Sequence, residues 1–565
     1  MKKLLTKIDK LNPNKVIGGT LIIWVTLNLL QAAFTELAHD EAYYWMYSKY
    51  LAWGYFDHPP VVAVLIKAGY FLFQNEFGVR LFSVLLGAGT FFIIYKLTDN
   101  AKISTLVFSL FAFSIALGQT HSFGFLAIPD IPIVFFSSCF LFVLKKYLEK
   151  DSYKVAILLG IIASLMLYSK YHAVLVLFFG ILPNLILFKR RSFYIIPVLI
   201  IILMLPHLFW QIKNGFPTFE YHLVSRSSAY TPLHTWNYLY SQFLIAGPFV
   251  AIQAFYHAIK YKPVSKFEKT LKWLFYGFFI FFFVASFRGH IEAHWTAVAI
   301  VPMVILAYNS ISQSEYAKKW IVWLSIPSVL AILIIRVALI FPLFPDLPAS
   351  KEFHNWDKWA QQIEELAGDR EVVFTNSFQR PAKYSFYSGR LSHSDNNLKY
   401  RKNQYDIWNF QDSLKNKKVI VFNGEHNSGR LNAWNGEKYT YDTFDCFISY
   451  KNFKIIPSVE TVIVAPDSVF NINISLVNND SLSNEMITGE YITFISATFA
   501  QNDFLSKPQK LKSLTVEELY SKPTVQYQLS IKSPSIKSDY QCFISLHHKK
   551  SFPGFQSRPI NIHVK

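Results

Sequence analysis

The chain has 565 residues, of which 52% are hydrophobic and 17% aromatic, while only 16% are charged. Apolar runs of membrane-spanning length recur from residue 16 to about residue 342 and then stop, which excludes a purely soluble protein. The formal charge of +18 does not point to nucleic acid, because in the first 340 residues the basic side chains gather in alternate short loops and not along one stripe.

The opening, MKKLLTKIDKLNPNK, precedes the first apolar run. It reads as the inner flank of an uncleaved span and not as a signal peptide, since cleavage near residues 32–38 would leave the acids that follow on a loose end. The expected spans are 16–34, 79–97, 103–119, 129–147, 154–169, 172–188, 193–209, 237–258, 272–287, 294–310 and 319–342, eleven in all. Lys96 and Lys102, Lys145 to Lys154, Lys189 to Arg191, Lys260 to Lys272, and Lys318 with Lys319 then fall on the side of the N-terminus. The opposite loops hold few basic residues, among them Arg80, Lys170, Arg226 and Arg288. That asymmetry predicts a cytoplasmic N-terminus and an extracytoplasmic C-terminus in a multi-pass protein of the inner (plasma) membrane. The stretch 59–74 opens with Pro59-Pro60 and is interrupted by Lys67, so it is expected to lie at the membrane surface instead of crossing.

Directly after the first span comes HDEAYYWMYSKYLAWGYFDHPPV, residues 39–61. An adjacent acid pair, Asp40-Glu41, stands there among Tyr43, Tyr44, Trp45, Trp53 and Tyr55. Acids at a membrane boundary are costly to desolvate, and aromatic rings settle at headgroup depth. A carboxylate held there suits chemistry on a substrate with its tail in lipid and its head in water. The same pair would also suit the first turn of a helix. A second acid, Asp130, sits between Pro129 and Pro132 where the fourth span begins.

From about residue 345 Asn, Ser, Asp and Lys become common. EVVFTNSF, KKVIVFN and ETVIVAP read as strands, and WDKWAQQIEELAG as an amphipathic helix ended by Gly368. The expected organisation is a membrane domain over 1–344 and a mixed α/β or β-rich soluble domain over 345–565, outside the membrane. Cys139 falls in an apolar run, whereas Cys446 and Cys542 are placed to pair if that domain meets an oxidising compartment.

The acid pair, the aromatics and the Gly-Tyr-Phe-Asp-His-Pro-Pro stretch resemble the polyprenyl-phosphate-sugar-dependent glycosyltransferases of families 39 and 83. PDIP at 129–132, YSKYHA at 168–173, PHLFWQIKNGFPTFEYHLVSR at 206–226 and EAHWTAVAIVP at 292–302 extend the likeness. So do NSFQRPAKYSFYSG at 376–389 and RKNQYDIW at 401–408. That family has the GT-C fold and includes protein O-mannosyltransferases and lipid A aminoarabinose transferases. The resemblance implies transfer of one sugar from a polyprenyl phosphate to a lipid, glycan or protein acceptor on the outer face, with Asp40 as the base. It also implies that Asp57 stands where relatives place a metal ligand, and that His58 replaces a phosphate-binding Lys.

Such a transfer needs a base for the attacking hydroxyl and a cation for the departing phosphate. Asp40, Glu41 and Asp130 are the candidate catalytic acids. Lys170, Arg226, Arg288, His58 and Arg80 are the candidate phosphate ligands, Lys170 foremost because it lies between two closely spaced spans. No cofactor is demanded; a divalent metal would use Asp57 and His294, the latter in HIEAH at 290–294. The alternative function is a transporter or flippase of a lipid-linked sugar. Against it, no paired broken helices recur in two halves of the chain.

Overall fold

The computed structural model describes residues 12–98, 104–118, 124–222, 230–408, 410–424, 428–479, 492–501 and 504–565. It divides into two compact units, Met1–His354 and Asn355–Lys565.

In chain order the main helices of the first unit are α1 (Pro13–Phe34), α2 (His39–Lys49), α3 (Val61–Leu72), α4 (Glu76–Leu97), α5 (Thr105–Gly118), α6 (Asp130–Glu149) and α7 (Tyr153–Ser169). There follow α8 (Ala173–Ile181), α9 (Ile195–Lys213), α10 (Pro232–Ile245), α11 (Ala251–Lys260), α12 (Lys266–Ala285), α13 (Ala297–Ile311) and α14 (Glu315–Ile340). Their starts carry local signals. Asn12 caps α1 by accepting from the Asn14 N–H, with Pro13 at the first helical position. Ser265 and Glu268 cap α12 reciprocally, at 3.1 and 3.0 Å.

Among the described residues, six helical segments are long and apolar enough to cross a membrane: Pro13–Phe34, Glu76–Leu97, Asp130–Glu149, Arg191–Lys213, Ala293–Ile311 and Glu315–Ile340. On α9 the exposed Ile201, Ile202 and Phe209 form a surface suited to lipid. Two expected spans are not continuous helices. The run 237–258 is broken into α10 and α11 at Gly247, which has φ +94°, followed by Pro248. The run 172–188 is α8 followed by a 3₁₀ turn over Leu182–Lys189. The stretch after Pro59-Pro60 is α3, whose 12 residues reach only about 18 Å at ~1.5 Å per residue and so cannot cross a bilayer.

The two ends of this unit differ in chemistry. One end gathers basic loops: the Arg190 guanidinium donates to the carbonyls of Tyr147 and Leu148, and Lys272 donates to those of Ala258 and Ile259. The other end gathers the acid and aromatic loops around α2.

The second unit has two parts. In the first, β1 (Glu371–Thr375), β2 (His393–Asp395), β3 (Val419–Phe422), β4 (Gly429–Asn432) and β5 (Lys438–Phe444) form a sheet ordered β2-β1-β3-β5-β4. Its strands β2, β1 and β3 are parallel. Trp356–Ala367 is the expected amphipathic helix, and it buries Trp356, Trp359 and Ile363 against Phe374 and Phe422 of the sheet. The second part is a sandwich of a six-stranded and a three-stranded sheet around Ile472, Ile474, Ile495, Ile544 and Ile562. Cys542 is inside that core and Cys446 contacts Asn416, so these two thiols are free and not paired.

Candidate active site

The first-loop acid pair separates into two environments. Ala38 is the N-cap of α2, so Asp40 and Glu41 occupy its first turn, where the helix dipole favours negative charge. Successive helix positions point about 100° apart, and here that turns Asp40 outward and Glu41 inward. Glu41 is fully buried. Its Oε1 accepts from Arg80 Nε at 2.8 Å and from the Ala127 N–H at 2.7 Å; its Oε2 accepts from Arg80 Nη2 and the Ala38 N–H. Arg80 spends its other donors on the carbonyls of Ala32, Thr35 and Glu36, and its guanidinium lies 5.1 Å from the Phe125 ring centre. Two expectations are thereby corrected. Glu41 has both oxygens committed, and Arg80 is wholly buried on that carboxylate, so they tie α2, α4 and the turn before α6 together and neither faces a substrate. Asp40 lies on the exposed side of the turn.

A second ion pair lies nearby. Asp130 opens α6 and Lys170 ends α7, and Lys170 Nζ donates to both Asp130 oxygens at 2.8 Å. Lys170 is 5% and Asp130 3% exposed. His294 Nε2 stands 3.8 Å from Asp130 Oδ2, and His172 packs edge-on against Trp295 and Phe282. The convergence of loops is visible at Tyr44, one helical turn after Asp40. The charges of Asp40, Asp57 and Asp130 all act on its phenol, which burial first and these acids second push well above its ordinary pKa.

His58 stacks edge-on to Tyr44 with ring centres 5.5 Å apart. Its Nδ1 is buried without a hydrogen-bond partner. Burial, opposed by Asp57 and reinforced by Lys170, pushes its pKa down to about 4, so the ring is neutral at pH 7. As a phosphate ligand it would offer a hydrogen bond and no charge. Asp57 accepts from Tyr47 Oη at 2.5 Å, and Tyr47 stacks on Tyr55 with centres 4.0 Å apart. Among the described residues no three His, Cys, Asp or Glu side chains surround one point as metal ligands. Asp57 is held by Tyr47 and His294 faces Asp130, so the expected metal pair is engaged on different partners. Arg288 is exposed just past α12 and pairs with no acid among the described residues. Arg226 lies outside the described residues.

Sequence reasoning passed over a buried polar network behind the loop. His207, Gln211, Tyr171 and Thr218 bond to one another and to the carbonyls of Trp53 and Tyr55. The signal is local: His207 and Gln211 are polar residues one turn apart in a 19-residue helix that is otherwise apolar up to its terminal Lys213, a costly arrangement without partners. Trp53 also lines a mostly apolar groove with Leu205, Pro206, Phe209, Trp210 and Lys213.

The chain is similar in sequence and fold to known glycosyltransferases. Residues 57–210 match the model of the dolichyl-phosphate-mannose-protein mannosyltransferase family. Lipid A galacturonosyltransferase RgtD from Rhizobium johnstonii is 24% identical over 354 residues, covering 59% of this chain and 72% of that protein. ArnT from Cupriavidus metallidurans shares the fold in its apo state with a TM-score of 0.52 at 11% identity, over 71% of this chain and 91% of ArnT. The crystal structure of the same ArnT bound to undecaprenyl phosphate gives the same TM-score and identity over 72% and 93%. With its first-loop acids and Pro-Pro turn, the chain is thus similar to these glycosyltransferases in sequence and shares the ArnT fold.

Proposed function

We propose that this glycosyltransferase moves a single sugar from a polyprenyl-phosphate donor to an acceptor on the outer face of the membrane, with Asp40 as general base. The observation that carries the reading is the contrast within one helical turn: Glu41 is buried on Arg80, while Asp40 is exposed and acts on the same Tyr44 as Asp130, the buried partner of Lys170. The acceptor hydroxyl gives its proton to the Asp40 carboxylate as its oxygen attacks the anomeric carbon. The bond from that carbon to the phosphate oxygen breaks, and the phosphate leaves with the electron pair. Lys170 Nζ is the cation proposed to meet the growing negative charge, and neutral His58, with His294 beside Asp130, supplies hydrogen bonds around it. Asp130 orients Lys170 and keeps its charge balanced until donor arrives.

A lipid-linked donor is supported by the groove at Trp53, whose mostly apolar lining includes Lys213 and so suits a chain with an anionic head. It is supported too by the undecaprenyl phosphate that ArnT binds. The Rhizobium relative, named for lipid A, favours a glycolipid acceptor. The loops of the site lie at the end of the helical unit away from the basic loops, which is the orientation an extracytoplasmic reaction needs.

The test compares membranes holding wild type with membranes holding Asp40→Asn at equal expression, following lipid-linked sugars and sugar-modified lipids by mass spectrometry. Wild type should consume one polyprenyl-phosphate sugar and form one modified product, and the variant neither. Equal behaviour of the two, with the variant folded, would remove Asp40 as base and bring the flippase reading forward.

A further inference from the structure

Three alternate carbonyls of the first loop are held by side chains of one distant segment. The Trp53 carbonyl lies 2.7 Å from His207 Nδ1, that of Tyr55 accepts from Thr218 Oγ1 at 3.2 Å, and that of Asp57 lies 3.2 Å from His222 Nε2. The chain can return to make the later contacts because Gly215 and Phe216, at the end of α9, both take left-handed φ values of +72° and +56°. A carbonyl only accepts, so His207 Nδ1 carries the proton, and in the neutral ring Nε2 is left to accept. Its partner there is Tyr171 Oη, at 3.0 Å. Gln211 Nε2 in turn donates to Tyr171 Oη at 3.1 Å and to Thr218 Oγ1 at 2.7 Å. The bonds therefore run in one direction, from Gln211 through Tyr171 and His207 to the Trp53 carbonyl.

Tyr171 is the next residue after Lys170, and the Trp53 carbonyl lies four residues before Asp57. The chain of bonds thus joins the turn that carries the cation to the loop that carries Asp57 and His58. Contact is close: a Cβ on Gly54 would fall 2.5 Å from the Trp210 ring and 2.9 Å from His207 Nδ1. Hydroxyl, imidazole and amide are all in a largely apolar setting, where a lost partner is expensive and a kept one rigid.

We infer that His207 and Tyr171 are positioning residues for the transfer, fixing the distance between Lys170 and the Asp57-His58 loop without touching the sugar. The inference rests on the proposed transferase reading. Lys170 remains in place when the link is cut, so donor still binds, but its contact with the departing phosphate, which strengthens as the bond breaks, is misaligned. Such a fault appears in kcat more than in KM, and a displacement of about 1 Å is enough to cost up to ~100-fold.

The experiment uses purified full-length protein with the polyprenyl-phosphate-sugar fraction extracted from native membranes as donor, and undecaprenyl phosphate as binding probe. Tyr171→Phe keeps the ring and removes the hydroxyl; His207→Asn keeps a donor for the Trp53 carbonyl and removes the acceptor for Tyr171. Each should lower kcat per folded molecule at least about tenfold, with donor KM and undecaprenyl phosphate affinity within about threefold of wild type. The double variant should be no slower than the slower single, because both cut one link. Unchanged kcat, or losses that multiply in the double variant, would overturn the inference, as would a loss confined to the amount of folded protein. Asp40→Asn is measured alongside. If wild type itself transfers no sugar, the transferase reading has failed; if wild type is active, Asp40→Asn is not, and Tyr171 and His207 act independently, only the positioning role is lost.

Discussion

Lys170 and Asp130 face each other across the ends of two consecutive helices, one ammonium on both oxygens of one carboxylate, each almost fully withdrawn from solvent. A pair so placed is a weak source of net stability, since desolvating both ions offsets most of their attraction, yet removing one partner leaves the other charged and stranded. Its value here is that the cation is held ready without being solvated, and that it is exchangeable: a phosphate can take the place of the carboxylate.

The pair separates folding from turnover. Lys170→Met strands Asp130 and is expected to destabilise the protein by about 3–5 kcal/mol, and Asp130→Asn to do so by less, because the amide still accepts from Lys170. The double variant Asp130→Asn with Lys170→Met should regain most of the melting temperature and none of the activity. Thermal unfolding in detergent and transfer assays on the same samples decide it; recovery of activity in the double variant would remove Lys170 from the chemistry.

Asp40 and Glu41, neighbours in sequence, should fail in opposite ways. Asp40→Asn touches an exposed side chain and should leave the melting temperature nearly unchanged while lowering turnover by about 10²–10⁴-fold, the range for loss of a general base. Glu41→Gln leaves Arg80 buried without its counter-charge, so it should cost about 3–5 kcal/mol and reduce the yield of folded protein, with near-normal turnover per folded molecule. Equal effects of the two substitutions on both readouts would show that the acids share one role.

The neutrality of His58 has a pH signature. Its folded pKa of about 4 lies below the ordinary 6.5, so the unfolded chain takes up a proton first as pH falls. The stabilisation from keeping the ring neutral is therefore full above about pH 6.5 and is lost progressively toward pH 4. His58→Gln, an uncharged replacement, should flatten that part of the stability–pH curve. The rate–pH profile of wild type should carry no limb from this histidine between pH 5 and 8, and a limb near 6.5 that disappears in His58→Gln would contradict the assignment.

What the sequence made legible follows from the range of each interaction. Apolar run length marks helices such as Glu76–Leu97, and a short β-branched and aromatic run marks the strand Glu371–Thr375, because both signals are local. The break between α10 and α11 was also written locally, in Gly247-Pro248, but the surrounding hydrophobicity masked it. The pairing of Arg80 with Glu41 spans 39 positions and that of Lys170 with Asp130 spans 40. Composition names such residues as candidates but cannot tell a buried counter-ion from an accessible one, so from sequence alone Arg80 fits a phosphate ligand equally well. His207 is hard to single out because one of its partners is the Trp53 carbonyl, a group every residue has, and the other, Tyr171, lies 36 positions away.

Gly54 offers the most local probe of how closely the first loop must sit on α9. The loop backbone approaches the helix so tightly that a single methyl would meet Trp210 and His207 at distances no real Cβ keeps. Gly54→Ala must then push the loop away, stretching the bond from His207 to the Trp53 carbonyl and moving Asp57 and His58 with it. Overpacking of this kind costs about 1–3 kcal/mol, and because it acts on the positioning link, kcat should fall by at least about tenfold, further than the stability loss alone explains. In the Tyr171→Phe background, where the link is already cut, the same substitution should lower kcat little further. A full and independent loss there would mean that the loop is aligned by something other than His207.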